Sequence, residues 1–360
     1  MPNKEKVYDA IVVGAGPAGS TAARELAKLG CDVLLIDKMK FPRDKICGGL
    51  VPVKVLKELE FNIPNCYIKN NIYDITIYDR LMNKSTYRSN DLMGITVLRR
   101  EFDFHLLNRA IAQGVTFFEE TSFEKLSREH SLIKTFTNKG IYWCKVLIGC
   151  DGVFSKVKRQ VFEANRMDFY KMGITLTARF IKTDQWRDTE FNLFQLPILY
   201  TMGWAIPSQD EVIIGVGGPW INRKKILKGF DGFLETLHLS KNNEDNHMKG
   251  AFLPAGGFAR KIHSNGILLS GDAAGFVDPL TGEGLYYAIR SAKIAAELIY
   301  KEDIASYEKR CKEEFQSVLR ASLLKNLLGF NKLFSKTEPL RSRLCETLSK
   351  TMLEQKKNLN

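Results

Sequence analysis

A glycine-rich turn near the start of the chain has residue types and spacing suited to binding a diphosphate. The run GAGPAG (residues 14–19) follows the apolar stretch VYDAIVV and precedes STAARELAKLG, which has helical composition. Glycines let the backbone approach a pyrophosphate at a helix N-terminus, and an acid at the end of the next strand can bind ribose hydroxyls. The pattern predicts a dinucleotide-binding strand, turn and helix, with binding residues Gly14, Gly16, Ala18, Gly19 and Asp37.

A second strand, turn and helix is predicted over residues 266–292, which read GILLSGDAAGFVDPLTGEGLYYAIRSA. A second helix N-terminus would suit a cofactor longer than NAD, namely FAD. Asp272 would then bind a ribityl hydroxyl, and the backbone amides of Gly282, Gly284 and Leu285 would lie near the flavin pyrimidine ring. In the alternative interpretation this is one more βα unit of the sheet, with Asp272 as a helix cap.

Cys47 is a single thiol in the run PRDKICGG (residues 42–49), between basic residues and two glycines. A thiol in this position is either a group that takes part in chemistry or a packing residue beside a tight turn. The residues alone leave both interpretations open.

Length and composition indicate a globular protein of more than one domain. The chain has 360 residues, and its seven cysteines are scattered without a CxxC pair, which argues against a disulfide framework and against a metal site. The N-terminal apolar run is too short for a signal peptide, and no run reaches the length of a membrane-spanning helix. These features predict a cytoplasmic protein that is soluble or lies on a membrane surface.

The chain is strongly basic, with a formal net charge of +12 and a pI near 9.2, which predicts an acidic partner. Residues 320–357 are rich in Lys and Arg, and Leu319, Leu323, Leu327, Phe330 and Phe334 recur at helical spacing. This basic amphipathic pattern predicts contact with an anionic membrane, peripherally on its inner face, or an ordinary surface helix. No recognition helix, aromatic RNA-binding pair or zinc pattern points to nucleic acid.

Five motifs together resemble a known family. GAGPAGS, PRDKICGG, LRREFD, CDGVFSKVKR and SGDAAGFVDPLTGEG occur in that order over residues 7–290. They are similar to motifs of the geranylgeranyl reductase family of flavoproteins, including CbrA-like oxidoreductases, within the para-hydroxybenzoate hydroxylase superfamily. The resemblance implies an α/β fold, with a three-layer Rossmann-like FAD-binding domain, an inserted antiparallel β-sheet substrate domain and a C-terminal helical segment.

The domain boundaries that we expect follow from this fold and from strand-like alternation over residues 172–218. The FAD-binding domain comprises residues 1–50, 96–165 and 256–300. The substrate-binding domain comprises residues 51–95 and 166–255, and the helical segment is 301–360.

The resemblance also implies further site residues. It places Arg43, Cys47, Gly48, Arg99 and Asp151 at the FAD, in addition to the residues of the two turns. Lys158 stands where the family usually has arginine. Lysine keeps the positive charge but cannot form the paired hydrogen bonds of a guanidinium group.

A partial match marks the expected substrate pocket. The family has a YxWxFP stretch followed by GxG, and this chain has MGWAIP (residues 202–207) and then GVG (residues 215–217). The tyrosine and phenylalanine positions hold Met202 and Ile206, so the pocket stays apolar but loses a hydroxyl. The stretch is also partly similar to the WxWxIP element of flavin-dependent halogenases, although the first Trp is absent. Trp204 is either a pocket residue or a core aromatic, and the other expected lining residues are Met202, Pro207, Gly215 and Gly217.

The function implied is reduction of carbon–carbon double bonds of an isoprenoid or polyprenyl lipid by hydride transfer from reduced FAD, with Cys47 as a candidate proton donor. The alternative is an FAD-dependent monooxygenase or halogenase acting on an apolar or aromatic substrate. No second dinucleotide motif is present, so the expected electron donor is a ferredoxin, a reduced flavin or transiently bound NAD(P)H.

Overall fold

The computed structural model describes residues 6–162, 172–240, 248–256, 261–327 and 337–353. The chain forms two compact units, and each is assembled from three separate segments of the sequence. The first unit comprises Met1–Asp44, Arg100–Asp168 and Pro254–Ser322, and the second comprises Lys45–Arg99, Phe169–Leu253 and Leu323–Asn360.

The first unit is built on an eight-stranded sheet. With strands numbered along the chain, its members are β1 (Val7–Val13), β2 (Val33–Ile36), β8 (Thr116–Phe118), β9 (Phe123–Glu129), β10 (Leu132–Thr137), β11 (Gly140–Gly149), β17 (His263–Ser264) and β18 (Ile267–Leu269). The order β8-β2-β1-β11-β18 is parallel throughout, whereas β9, β10 and β17 pair antiparallel. Strands β1, β2 and β18 are short apolar runs buried along most of their length, as expected for a covered parallel sheet.

Helices pack against this sheet around one hydrophobic core. They are α1 (Pro17–Lys28), α3 (Arg99–Ile111), α4 (Lys156–Val161), α6 (Leu285–Tyr300) and α7 (Tyr307–Leu327). Helix α7 contributes Tyr307, Phe315 and Leu319 to the core, and each of these side chains is at most 1% exposed.

The second unit contains a seven-stranded sheet in the order β16-β12-β15-β14-β13-β5-β6, and a three-stranded sheet β3-β7-β4. Its strands are β3 (Leu50–Pro52), β4 (Ile68–Ile72), β5 (Asp74–Tyr78), β6 (Lys84–Arg88), β7 (Gly94–Val97), β12 (Gly173–Ile181), β13 (Glu190–Gln195), β14 (Met202–Ser208), β15 (Glu211–Pro219) and β16 (Lys249–Leu253). All pairs are antiparallel except β5 with β13, which come from different chain segments and need no hairpin between them.

Among the described residues of the second unit, the helices are α2 (Val53–Leu59), α5 (Arg223–Thr236) and α8 (Glu338–Leu353). Helix α8 packs on β5 and β6 through Leu344, Cys345 and Met352. The residues that we expected to form one helical segment, 301–360, therefore divide at Ser322 between the two units. Within the described part of the chain, no helix combines the length and apolar composition that crossing a membrane requires.

The α/β fold class predicted from the sequence is confirmed.

Candidate functional site

The glycine-rich turn of the first unit is closed by contacts that leave no room for side chains at two positions. A Cβ at Gly14, where φ is +100°, would lie 2.5 Å from the carbonyl oxygen of Cys150. A Cβ at Gly19 would lie 1.7 Å from the carbonyl oxygen of Gly14. These two glycines are needed for the turn itself, because any side chain would collide with backbone.

Gly16 differs from its neighbours, because a Cβ there would meet only Nη2 of Arg43, at 3.3 Å. Gly16 is the N-cap residue of α1, no side chain caps this helix end, and Pro17 follows it. An uncapped helix N-terminus offers N–H groups and a partial positive charge to an anion. The open space at Gly16 and the guanidinium beside it fit a diphosphate.

Arg43 is held by an acid that the sequence analysis did not select. Its Nη2 lies 3.3 Å from Oδ2 of Asp103, whose side chain is fully buried in α3. The guanidinium also lies over the ring of Phe41, with 5.0 Å between Cζ and the ring centroid. Asp103 stands in the LRREFD run, and an acid beside Phe102 on the apolar side of a helix is the signal that could have identified it.

Asp37 lies at the end of β2 and is 8% exposed. Its Oδ2 accepts a hydrogen bond from the backbone N–H of Ala15 at 2.7 Å, and its Oδ1 accepts one from Met39 at 2.8 Å. These bonds fix the carboxylate against the glycine-rich turn. Each oxygen keeps a further lone pair that can accept from a ribose hydroxyl.

Asp151 flanks the same turn, since a Cβ at Gly14 would lie 3.1 Å from its Cα. Its Oδ2 accepts from the N–H groups of Lys156 and Val157, at 2.7 and 3.2 Å, at the start of α4. Burial raises the pKa of Asp151 above the usual carboxyl value, although these hydrogen bonds oppose the shift. Among the described residues, none donates to its buried Oδ1.

The second predicted turn packs directly on the first. A Cβ at Gly271, where φ is +60°, would lie 3.1 Å from Cβ of Ala18 and 3.3 Å from Cβ of Ala288. Small residues thus bring the N-terminal ends of α1 and α6 together. The sequence analysis assigned Ala18 to the cofactor, and the structure places it at this contact.

Asp272 and the GEG run meet at the start of α6. Oδ1 of Asp272 lies 3.5 Å from the position of a Cβ on Gly284, which is the N-cap residue. Gly282 has φ of +72°, and Glu283 accepts the N–H of Tyr286 at 2.7 Å. The structure therefore brings Asp272, Gly282, Gly284 and Leu285 together in one turn beside α1.

In the second unit, the expected pocket residues surround the indole ring of Trp204. On the paired strands β14 and β15, Trp204 lies opposite Gly215, and Met202 lies opposite Gly217. A Cβ at Gly215 would lie 2.3 Å from the Trp204 ring, and one at Gly217 would lie 3.1 Å from it. The glycines leave space for the indole. Pro207 is buried nearer the other end of β14.

The CGG turn of PRDKICGG lies against the same strand. A Cβ at Gly48 would lie 2.6 Å from Cδ1 of Ile206 and 3.3 Å from Nε1 of Trp204. Gly49, with φ of +83°, donates its N–H to Sγ of Cys47 at 3.4 Å. The half-buried thiol therefore belongs to the surroundings of Trp204. The sequence placed Ile206 at the apolar pocket but did not reveal its contact with the CGG turn.

The indole N–H of Trp204 is a buried donor. None of the described residues accepts a hydrogen bond from it. Because a buried N–H without an acceptor costs free energy, an oxygen atom of a ligand bound beside Trp204 would stabilise this group by accepting its hydrogen bond.

Arg99 is the first residue of α3 and the last residue of the first segment of the second unit, Lys45–Arg99, and it is half-buried. The structure does not add Arg99 to the cluster around the glycine-rich turn. Its assignment to FAD therefore stays a prediction.

Comparison with known proteins agrees with the fold and with a Rossmann-like glycine-rich turn. The family of NAD(P)-binding Rossmann-like domains matches residues 12–57. An uncharacterized protein of Methanosarcina barkeri is 32% identical over 82% of this chain and 75% of that protein. A digeranylgeranylglycerophospholipid reductase of Methanosarcina acetivorans is 30% identical over 85% of this chain and 81% of that protein.

A solved structure shows the same fold. A geranylgeranyl bacteriochlorophyll reductase-like protein of Thermoplasma acidophilum superimposes with a TM-score of 0.82 at 24% identity, covering 97% of this chain and 93% of that one. The reductase relatives, together with the glycine-rich turn of the Rossmann-like domain, establish an FAD-dependent oxidoreductase. The chain belongs to the geranylgeranyl reductase family of flavoproteins.

Proposed function

We propose that this enzyme reduces carbon–carbon double bonds of an isoprenoid lipid. The arrangement around Trp204 carries the proposal. The indole ring packs over Gly215 and Gly217 and is flanked by Met202 and Ile206, and the thiol of Cys47 lies in the adjacent CGG turn. These surroundings suit a hydrocarbon chain, and they hold little that would bind a charged substrate. The relatives include digeranylgeranylglycerophospholipid reductases and a menaquinone reductase, and their activities point to the same substrate class.

We assign FAD binding to the first unit and substrate binding to the second. The diphosphate would lie at Gly16 with Arg43, the ribose at Asp37, and the flavin end of the cofactor toward Asp272 and the N-terminus of α6. When bound and reduced, FAD supplies a hydride to one alkene carbon.

Within the second unit, each group of the Trp204 surroundings has a separate role. The sheet face excludes water and orients the chain, and the indole N–H donates a hydrogen bond. Sγ of Cys47, whose contact with Gly49 fixes its position, delivers a proton to the other alkene carbon. The alkene thus gains one hydride and one proton, and the thiolate regains its proton from solvent.

The experiment that tests this proposal uses the protein reduced with dithionite without oxygen and a geranylgeranyl lipid as substrate. We expect a product that has gained two hydrogen atoms for each reduced bond, detected by mass spectrometry. Dithionite removes the need to know the natural donor. A product that contains oxygen or halogen, formed only in air, would instead support the monooxygenase or halogenase alternative.

Cys47→Ser is expected to keep FAD and to slow lipid reduction about tenfold, because a hydroxyl is a weaker acid than a thiol but can still donate. The rate constant is measured by single turnover of the reduced enzyme. Cys66→Ser is the matched control, since Cys66 is an exposed thiol of the same unit. Full activity of Cys47→Ser would leave the thiol only a packing role.

Trp204→Phe is expected to weaken lipid binding about tenfold, through loss of one hydrogen bond to the ligand. The readout is KM in the same assay, with kcat and FAD content changing less. Trp186→Phe provides the control, because Trp186 is also buried in the second unit, and no described residue accepts its N–H. Equal effects of the two substitutions would show that the Trp204 N–H plays no part in substrate binding.

The electron donor and the membrane contact are further parts of the proposal. A basic protein suits an acidic ferredoxin, and reduced flavin and NAD(P)H are the other candidates.

A lipid substrate favours peripheral association with the inner face of a membrane. The C-terminal stretch predicted for this contact offers less apolar surface than its periodicity indicated, since Leu319 is buried in the first unit. Phe330 and Phe334 lie outside the described residues.

A further inference from the structure

The second unit has an exposed apolar surface bordered by lysines. We call it the apolar–basic patch. Leu199, Ile221 and Leu227 are 49%, 66% and 43% exposed. The exposed side chains of Lys224, Lys225 and Lys228 lie in the first half of α5, beside them in the sequence.

Two contacts join the loop at 196–201 to the start of α5. Nδ2 of Asn222 donates to the carbonyl oxygen of Leu199 at 2.7 Å. A Cβ at Gly229 would lie 2.8 Å from Cδ1 of Ile198. The loop at 196–201 therefore lies along the first two turns of α5, which places Leu199 next to Ile221 and the basic residues.

The charges at the start of α5 are all basic, and the first acid of this helix is Asp231, three residues after Lys228. Residues 191–209 contain no charged side chain, and residues 212–230 contain no acidic one. Helix α5 has no acid in its first turn, and Asn222 does not cap it with its side chain. Cations at a helix N-terminus oppose the helix dipole, so this arrangement disfavours the isolated helix and is relieved by an anionic partner.

The patch lies at the end of the sheet that carries the proposed lipid site. The loop 196–201 leads directly into β14 at Met202, and Met202 pairs with Gly217 near the end of β15. After β15, the chain continues through the short 3-10 helix Trp220–Asn222 into α5. An apolar substrate that entered at this end would reach the Trp204 surroundings along the strands.

We propose that the apolar–basic patch binds an anionic lipid bilayer. The lysines meet acidic headgroups, and Leu199, Ile221 and Leu227 enter the boundary between headgroups and acyl chains. Exposed aliphatic side chains interspersed with lysines fit a bilayer better than a soluble acidic protein, because the centres of protein interfaces are enriched in aromatic residues and depleted of lysine. This proposal rests on the proposed function and assigns its membrane contact to a specific surface. Vesicle binding is measured independently of catalysis, so a protein that fails to reduce lipids could still confirm the membrane contact.

Lys224→Glu/Lys225→Glu should weaken binding to phosphatidylcholine vesicles containing phosphatidylglycerol by at least about 25-fold, since each basic residue near such a surface contributes a factor of about five. Binding is measured by cosedimentation of the full chain with its FAD. The matched control is Arg343→Glu/Lys350→Glu on the exposed face of α8, which changes the charge equally and should lower binding less than about threefold.

A second variant separates a bilayer from an acidic protein. Ile221→Ser/Leu227→Ser keeps every charge and should weaken vesicle binding roughly tenfold, most visibly at high salt, where charge attraction is screened. Unchanged binding by this variant would indicate a purely electrostatic surface of the kind an acidic protein uses, and would overturn the proposal. Absence of vesicle binding by the unaltered protein, or loss through the α8 control alone, would also overturn it.

Discussion

Replacing Gly16 with alanine is expected to give a folded protein that purifies without FAD. The backbone at Gly16 has φ of −71°, which alanine adopts without strain, and the nearest obstacle is the flexible end of Arg43. The new methyl group would, however, lie where the diphosphate must approach the N-terminus of α1. We expect FAD affinity to fall at least about 100-fold, with the stability of the apoprotein little changed. Flavin fluorescence titration and urea unfolding of the apoprotein measure the two quantities.

Two glycine variants make this result specific. Gly19→Ala should lose stability as well as FAD, because its Cβ would collide with backbone at 1.7 Å. Gly232→Ala in α5 should leave FAD affinity unchanged and raise stability by up to about 1 kcal/mol, since nothing lies within 4 Å of its Cβ position and alanine is the better helix former. If Gly16→Ala retained FAD at full affinity, the diphosphate would have to bind elsewhere than at this turn.

Arg341→Leu is expected to destabilise the protein by about 3–5 kcal/mol, because it leaves a buried carboxylate without its cation. Nη1 of Arg341, on α8, lies 2.8 Å from Oδ2 of Asp79, and their side chains are 8% and 10% exposed. Nε of Arg341 also donates to Oγ of Ser85 at 3.3 Å. The pair attaches α8 to the β5–β6 hairpin. Urea unfolding at neutral pH gives the free energy of unfolding.

The pH dependence provides an internal control. Burial opposes ionisation of Asp79, but hydrogen bonds from Asn83 and Leu81 and the charge of Arg341 prevail and lower its pKa. The ion pair therefore contributes stability above the ordinary carboxyl pKa of about 4, and this contribution is lost as pH falls through the lowered value. The difference between the unaltered protein and Arg341→Leu should shrink correspondingly in acid.

Asp79→Asn/Arg341→Leu should recover part of the loss, since the amide can still accept from the backbone N–H groups of Leu81 and Asn83. A loss below about 1 kcal/mol in Arg341→Leu alone would mean that solvent reaches the pair and that it does not anchor α8.

The cofactor turns were predictable because each is a local pattern. Gly14, Gly19 and Asp37 fall within a short stretch, and strand, turn and helix propensities fix their mutual positions. The structure adds what local patterns lack, namely contacts between distant segments. Arg43 meets Asp103 in α3, and Gly48 meets Trp204 and Ile206 in β14. Such contacts depend on sheet register and on which chain segments join each unit, and a single sequence does not encode these in any one place.

The helical spacing of apolar residues also does not reveal whether the protein core or a membrane covers the apolar face of a helix. Leu319 has the helical spacing typical of a membrane-binding segment, yet it packs inside the first unit. The same spacing serves both purposes, because a bilayer and a protein core select the same side chains. The apolar–basic patch shows no periodicity in the sequence, because its apolar residues come from a loop, a short 3-10 turn and a helix.

The three-segment construction of each unit has a consequence for synthesis on the ribosome. The central sheet of the first unit begins with β1 and needs β18, and its core needs Phe315 and Leu319, which are made only after most of the chain. The strands of the second unit emerge in between, and α8 covers β5 and β6 last. Neither unit can be finished early, so the nascent chain must carry exposed strand edges until translation is nearly complete. A chain built in this way depends on chaperones more than one whose domains follow each other in sequence.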